Sequence, residues 1–176
     1  MWYVLKVIEG KEENACETCR MTFTDECHAD VFVPYYARPY HRDGEWKEIK
    51  KALFPGYIFV DTDKAGAERV REMTVKRIPY TAQPVCVGEE FVPIYEDEQR
   101  LLESLMDNDH VVTVSNGNII DDRVVVDEGP LMQYSDKVCW YDRHKRMANI
   151  EMNLLGKTRR VKIGLVLANR IYTKAG

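Results

Sequence analysis

The last third of the chain has the most restrictive pattern in the sequence, because it contains only short apolar runs separated by polar turns. Residues 123–176 hold five such runs, each rich in Val, Ile, Leu or aromatic residues. Short strands with frequent turns are typical of small closed sheets. The pattern therefore predicts a small five-stranded β-barrel with strands at 124–126, 138–141, 148–154, 159–163 and 165–171.

The first 106 residues instead mix strand and helix patterns. A polar turn, Arg42-Asp43-Gly44-Glu45, separates two extended arms and predicts a hairpin. The order of elements predicts an α+β fold in which an N-terminal antiparallel sheet is flanked by helices. Predicted strands are 2–8, 31–36, 57–60 and 85–87, and predicted helices are 11–21, 64–73 and 95–106.

A polar stretch separates these two regions. Residues 107–122 contain several asparagines, a glycine and two paired aspartates, a composition typical of a linker. We therefore predict one domain at 1–106, a linker at 107–122 and a second domain at 123–176. Residues 1–120 carry 14 basic and 22 acidic side chains, whereas residues 121–176 carry 11 and 7. This asymmetry indicates that the two halves have different partners.

Motifs that would support catalysis are missing from the sequence. It has no phosphate-binding glycine loop, no dinucleotide fingerprint, no paired metal-binding histidines and no nucleophile elbow. We expect a protein that is not an enzyme and that needs no cofactor. Cys16, Cys19, Cys27 and His28 could in principle bind zinc. We expect no metal site, because Cys16 and Cys19 lie one helical turn apart and pack in a core, whereas structural zinc ligands usually come from turns.

The sequence also indicates where the protein functions. No window approaches 18 consecutive apolar residues, so we expect no membrane-spanning helix and no membrane partner. The first residues lack the basic head and apolar core of a secretory signal. Five cysteines, an odd number, fit reduced thiols better than a disulfide framework. The expected compartment is the cytoplasm.

Four ordered blocks in the N-terminal region resemble the N-terminal (NGN) domain of the NusG transcription factors. The segment Phe54-Pro55-Gly56-Tyr57, followed by Ile-Phe-Val, resembles the family's F-P-G-Y signature. The other three blocks are Trp2-Tyr3-Val4, similar to the opening strand, Gly10-Lys11-Glu12-Glu13, similar to the start of the first helix, and Val31-Phe32-Val33-Pro34, similar to the second strand.

The C-terminal region resembles the KOW barrel that follows the NGN domain in this family. Val124-Val125-Val126 and the Gly129-Pro130 pair are similar to the opening strand and turn of that barrel, although Asp136 stands where the motif usually has glycine. Two short segments resemble a specialised branch of the family, the LoaP antiterminators of Gram-positive bacteria. They are Gly10-Lys11-Glu12-Glu13 and Asp142-Arg143-His144-Lys145-Arg146.

The resemblance implies a transcription elongation and antitermination factor that promotes processive elongation through terminators. In this family the N-terminal domain binds the clamp helices of the largest RNA polymerase subunit, and an exposed aromatic patch suits a helical tip. We predict polymerase contacts at Phe54, Pro55, Tyr57 and Trp2. The alternative is that Trp2 and Tyr57 belong to the sheet core.

The resemblance also implies that the barrel recruits a partner. LoaP-like factors bind an RNA hairpin in the leader of long operons, and housekeeping members use the barrel to bind a termination factor or a small-subunit ribosomal protein. Basic clusters gain affinity for RNA by releasing phosphate counterions. The alternatives are solvated loops and a ribosome-associated KOW protein that binds RNA. Predicted RNA contacts are Arg143, His144, Lys145, Arg146, Lys157, Arg159, Arg160, Arg38 and Arg42.

Overall fold

The computed structural model describes residues 1–23 and 27–173 of the chain. The chain forms two compact units. The first combines Met1–Pro34 with Phe54–Gln99, and the second combines Tyr35–Leu53 with Arg100–Gly176. No helix among the described residues is long and apolar enough to cross a membrane.

A four-stranded antiparallel sheet forms the centre of the first unit, with strand order β2-β5-β1-β6. The central strands β1 and β5 are almost wholly apolar, as expected for strands that are buried on both faces. The antiparallel sheet confirms the predicted fold class for this region. The strands are β1 (Trp2–Val7), β2 (Asp30–Phe32), β5 (Tyr57–Asp61) and β6 (Ala82–Pro84).

Two helices follow strands of this sheet. Helix α1 (Glu12–Thr22) buries Ala15, Cys16 and Cys19 on one face, which explains its narrow apolar stripe. Helix α2 (Lys64–Arg77) begins at Asp63, whose side chain accepts a hydrogen bond of 2.6 Å from the Gly66 amide. A short hairpin of β7 (Cys86–Val87) and β8 (Glu90–Phe91) precedes helix α3 (Glu96–Leu105).

A five-stranded sheet forms the larger part of the second unit, with strand order β11-β10-β14-β13-β12. We call it the barrel. Its core includes the fully buried side chains of Ile119, Ile150 and Ile163. A 3-10 helix (Met132–Lys137) joins β11 to β12. The strands are β10 (Ser115–Ile120), β11 (Arg123–Glu128), β12 (Val138–Asp142), β13 (Met147–Leu154) and β14 (Lys157–Ile171).

Strand β14 differs from the sequence prediction, which places two strands in the same segment. The strand is continuous over 15 residues, and it changes partner near its middle. Residues up to Gly164 pair antiparallel with β13, whereas Leu165 onwards pairs parallel with β10. In the sequence Gly164 marks a break between two apolar runs, but the backbone hydrogen bonds continue across it.

The second unit also contains the predicted hairpin. Strands β3 (Tyr35–Arg42) and β4 (Glu45–Ala52) pair along their full length around the Asp43-Gly44 turn. The short strand β9 (Val111–Val112) pairs parallel with Tyr35 and Tyr36, which makes a three-stranded sheet. The hairpin therefore belongs to the same compact unit as the barrel.

The segment predicted as a linker contains two strands. Strand β9 joins the hairpin sheet, and β10 joins the barrel between β11 and β14. Strand β9 pairs with the distant β3, and β10 pairs both with its neighbour β11 and with the distant β14. Pairing with distant strands is not visible in a local pattern. The domain limits at 106 and 123 stay a prediction.

Candidate functional site

A tight turn connects Phe54 to the central strand β5. The Tyr57 amide donates a hydrogen bond of 3.1 Å to the Phe54 carbonyl, and Gly56 has a φ of +82°. Proline at the second position and a glycine with positive φ at the third are the signature of a type II turn. The F-P-G-Y sequence thus forms a tight turn that leaves Pro55 exposed just before a buried strand.

A buried carboxylate fixes this turn. Oε1 of Glu12 accepts hydrogen bonds from the Gly56 amide at 2.7 Å and from the Gly10 amide at 3.0 Å. Glu12 is the first residue of α1 and is buried. One carboxylate oxygen therefore joins the Gly-Lys-Glu-Glu block to the Phe-Pro-Gly-Tyr block, although Glu12 and Gly56 lie 44 residues apart in the chain. A charged acceptor at a helix N-terminus is also favoured by the helix dipole.

The four predicted polymerase contacts fall into two groups. Trp2 and Phe54 are each only 5% exposed. The ring of Phe54 packs on Phe59 with centroids 5.7 Å apart, and Trp2 packs on Phe32 and Phe59. Pro55 is exposed and Tyr57 is half-buried. The burial agrees with the core alternative for Trp2 and shows that Phe54 is not a freely exposed side chain.

The hairpin tip contains a second aromatic cluster. The Arg146 guanidinium carbon lies 3.6 Å above the centre of the Trp46 ring, and His41 packs against the same ring with centroids 5.1 Å apart. An arginine over a tryptophan face is an attractive cation–π contact. Arg146, predicted as an RNA contact, therefore holds the barrel against the hairpin.

The two basic turns of the barrel lie at opposite ends of β13. The first turn, after β12, is ordered by the Asp142 carboxylate, which accepts a hydrogen bond from the Lys145 amide at 2.9 Å. This hydrogen bond lowers the pKa of Asp142. Leu155 and Gly156 form the second turn, before β14. The eight residues of β13 separate the turns by about 24 Å, since a strand rises about 3.4 Å per residue.

The basic side chains of the second turn do not form one surface. Arg160 stands opposite Glu151 on β13, and Arg159 stands opposite the buried Met152, so the two arginines project from opposite faces of the sheet. Arg160 is also paired with Glu151 at 2.9 Å. Lys157 is exposed at the end of the strand. The structure thus brings together Arg143, His144 and Lys145 on one exposed turn. The predicted contacts Lys157, Arg159 and Arg160 lie at the opposite end of β13, and Arg38 and Arg42 lie on β3 of the hairpin.

Comparison with known proteins identifies the family. The family model described as "Transcription termination factor nusG" matches residues 1–103, more than half of the chain. The chain belongs to the NusG family.

Two NusG proteins illustrate how far the similarity extends. The transcription termination/antitermination protein NusG of Treponema pallidum (strain Nichols) is 22% identical over 185 residues, which cover 94% of this chain and 95% of the relative. A solved structure described as "Domain interaction in Thermotoga maritima NusG" is similar in fold, with a TM-score of 0.51 and 19% identity. That similarity covers 94% of this chain and 93% of the other.

Three cysteines of this NusG-family chain, Cys16, Cys19 and Cys27, are buried in the core, whereas Cys86 and Cys139 are exposed. Burial raises the pKa of Cys16 to about 11 and that of Cys19 to about 12. The thiol of Cys16 donates to the Val31 carbonyl, and that of Cys27 contacts the Met73 sulfur. Within residues 1–23 and 27–173, no group of three or more His, Cys, Asp or Glu side chains could hold a metal ion.

Three residues that shape these surfaces have little signal in the sequence. The sequence shows Glu12 only as part of the Gly-Lys-Glu-Glu motif and does not show that its carboxylate fixes the Pro55 turn. Trp46 is a single aromatic residue in a polar hairpin and has no periodic signal. Gly164 resembles a gap between two strands in the sequence, but a Cβ atom there would lie 2.5 Å from the Ala37 carbonyl oxygen.

Proposed function

We propose that this NusG-family chain is an elongation and antitermination factor that binds the clamp helices of the largest RNA polymerase subunit. The observation that carries the proposal is the Pro55 turn, a family motif held rigidly by the buried Glu12 carboxylate. Pro55 and the half-buried Tyr57 form the contact, and Phe54 and Trp2 support it from the core. A rigid turn loses little entropy when a helical tip binds.

The proposed mechanism needs no chemical step. A factor that binds the closed clamp more tightly than the open clamp shifts the equilibrium towards the closed state by the difference in affinity. Pausing and termination require the clamp to open or swivel, so the bound polymerase reads through terminators. NusG proteins are transcription factors, and the sequence of this chain has no motif for catalysis.

A terminator readthrough assay with purified polymerase tests this function. We expect the wild-type chain to increase readthrough and Pro55→Asp to reduce it to the level without the factor, because a carboxylate would be placed in an apolar contact. Ala65→Asp is the matched control, since it adds the same carboxylate at an exposed position that follows the opposite end of β5. Wild-type levels of readthrough with Pro55→Asp would show that the Pro55 turn does not contact the polymerase. A folded wild-type chain that does not associate with polymerase would overturn the function.

We further propose that the barrel binds a leader RNA hairpin through the exposed turn that contains Arg143, His144 and Lys145. The resemblance to LoaP-like factors, which recognise such a hairpin, supports this proposal. Residues 121–176 carry four more basic than acidic side chains, which favours a phosphate backbone. A-form RNA is contacted mainly through its backbone and shape. The basic turn fits this type of recognition without a base-specific pocket.

Charge reversal tests the RNA contact. We expect Arg143→Glu combined with Lys145→Glu to weaken binding of an RNA stem-loop and to lower the slope of log affinity against log salt by about 1 for each phosphate that is no longer neutralised. Filter binding at several salt concentrations measures both quantities. An unchanged slope, together with native circular dichroism, would show that this turn does not contact RNA. Co-purification with ribosomes and not with polymerase would favour the ribosomal alternative.

A further inference from the structure

The sheet of the barrel is open on one side. Strands β11 and β12 lie at its two edges, and no pairing among the described strands joins them. Between them runs a groove of about 650 Å³, which we call the seam. An edge strand presents unpaired backbone groups that can pair with a further strand. The seam is lined by residues 122–125 around the start of β11, Ser135 and Asp136 of the 3-10 helix, and residues 138–141 of β12.

Backbone groups of β12 point into the seam. In an antiparallel pair, successive residues direct their N–H and C=O groups alternately to the strands on either side. The Leu165 amide donates a hydrogen bond of 3.0 Å to the Arg146 carbonyl, so Arg146 is directed to β14. It follows that Met147 is directed to β12 and Ala148 to β14. Tyr141 stands opposite Ala148, so its N–H and C=O point away from β13 and into the seam.

Strand β11 directs backbone groups into the seam from the other side. The Val126 amide donates a hydrogen bond of 3.2 Å to Oγ of Ser135, so it points away from β10. Val124 lies two residues earlier on the same strand, and its N–H and C=O therefore point the same way. Ser135 closes one end of the seam. Among the described residues, no hydrogen bond beyond the strand pairs reaches the backbone of Val124 or Tyr141.

The side chains that face the barrel interior are incompletely covered along the seam. Val124 stands opposite Ile119, and Val138 stands opposite Ile150. Ile119 and Ile150 are fully buried, and directly opposed residues lie on the same side of a sheet, so the two valines also face the interior. Yet Val124, Val138 and Tyr141 are only half-buried. The interior of the barrel therefore has room for further apolar side chains at the seam.

The outer rim of the seam combines apolar surface with one positive charge. Val125 and Trp140 line the groove and are 37% and 48% exposed. Arg123 is also exposed at the start of β11. The adjacent Asp122 is already paired with Arg170 at 3.1 Å. The rim thus offers two apolar contacts and a cation that suits an acidic side chain.

We propose that the seam binds an extended peptide segment of a partner protein, which adds to the barrel as a strand. Its backbone pairs with the free groups of Val124 and Tyr141, and its inward side chains fill the uncovered interior. Each edge contributes four residues to the seam, a length of about 13 Å that a peptide strand of four or five residues fills. The peptide alternates apolar and polar residues and carries an acidic residue beside Arg123. The site is separate from the RNA-binding turn proposed above.

Peptide selection on the full chain tests the proposal. The probes are random heptapeptides displayed on phage, followed by a fluorescein-labelled synthetic copy of the enriched sequence. We expect enriched peptides to alternate apolar and polar residues and to contain Asp or Glu. Fluorescence anisotropy with the synthetic copy then measures affinity. Enrichment of peptides without alternation, or no enrichment, would overturn the proposal.

Variants of the two edge strands test how the peptide binds. Val124→Pro removes an N–H that β10 does not use and should weaken binding about tenfold, whereas Val124→Thr, which keeps the N–H, should retain it. Arg123→Glu should weaken binding about threefold. Lys157→Glu makes the same charge change at the other end of the barrel and should have no effect. The double variant Arg143→Glu, Lys145→Glu should bind the peptide normally, even if it no longer binds the RNA stem-loop.

Two exposed cysteines allow a test that needs no substitution. Cys139 lines the seam, whereas Cys86 lies on β7 of the first unit. A saturating peptide should largely stop the reaction of Cys139 with a maleimide and leave the reaction of Cys86 unchanged. Mass spectrometry of the digested chain measures both rates. Unprotected Cys139, or wild-type peptide affinity in folded Val124→Pro and Arg123→Glu, would show that the peptide does not occupy the seam.

Discussion

Replacing Glu12 by alanine is expected to lower the free energy of unfolding by about 3 kcal/mol and to abolish polymerase association. The substitution removes the acceptor for the Gly56 and Gly10 amides, at 2.7 and 3.0 Å. Hydrogen bonds to a charged group are stronger than neutral ones, and a buried amide without an acceptor is unfavourable. The Pro55 turn would no longer be attached to α1. Urea unfolding measures the first effect and co-purification with polymerase the second.

Two further variants distinguish the hydrogen bonds of Glu12 from its volume and charge. Glu12→Gln keeps an oxygen that can accept from both amides, so it should restore more than half of the stability that Glu12→Ala removes. Glu17→Ala removes an exposed carboxylate from the same helix and should change stability by less than about 0.5 kcal/mol. If Glu12→Ala were as stable as Glu17→Ala, the carboxylate would not be what fixes the turn.

Gly164→Ala is expected to destabilise the second unit by about 2 kcal/mol, although alanine is normally tolerated in strands. The added Cβ would lie 2.5 Å from the Ala37 carbonyl oxygen and 3.0 Å from Cγ2 of Val114. The closest atom belongs to the backbone, so the hairpin must move away from the barrel. The Arg146–Trp46 contact should weaken at the same time, which a change in tryptophan fluorescence would report.

Ala168→Val provides the matched control for Gly164→Ala. It adds volume to the same strand at an exposed position and should be nearly neutral. Hydrogen exchange should then separate two possibilities. Faster exchange of the β3 amides in Gly164→Ala, with unchanged exchange in β1, is expected from a hairpin released from the barrel. Uniformly faster exchange would show that the whole chain is destabilised and that Gly164 has no specific effect on the hairpin.

How far the sequence predicts the fold depends on the range of the interactions involved. The hairpin around Asp43-Gly44 and the starts of the helices agree with the sequence predictions, because turn residues and helical periodicity act over a few positions. The single strand predicted at 31–36 is instead divided between β2 and β3 on either side of Val33-Pro34. Proline cannot donate to a sheet, but only the pairing partners decide where each strand belongs.

The candidate sites show the same difference between features set by local sequence and features set by distant contacts. Local composition predicts the turn that contains Arg143, His144 and Lys145, and that turn is exposed. Arg146 belongs to the same basic segment, yet its guanidinium packs on Trp46. Trp46 lies on a hairpin that is about 100 residues away in sequence. The pairing of side chains across that hairpin has no signature in the sequence, because a strand register is needed to place Tyr40 opposite Lys47.

Residues close together in the chain are enough to establish the fold class of both regions, the F-P-G-Y turn and the basic character of the C-terminal third. Three other features exist only because distant segments meet in the folded chain. Phe54 is buried, Glu12 holds the Pro55 turn, and the hairpin packs against the barrel. Burial and close packing depend on which distant segments come together, and local propensity and periodicity contain no information about those partners.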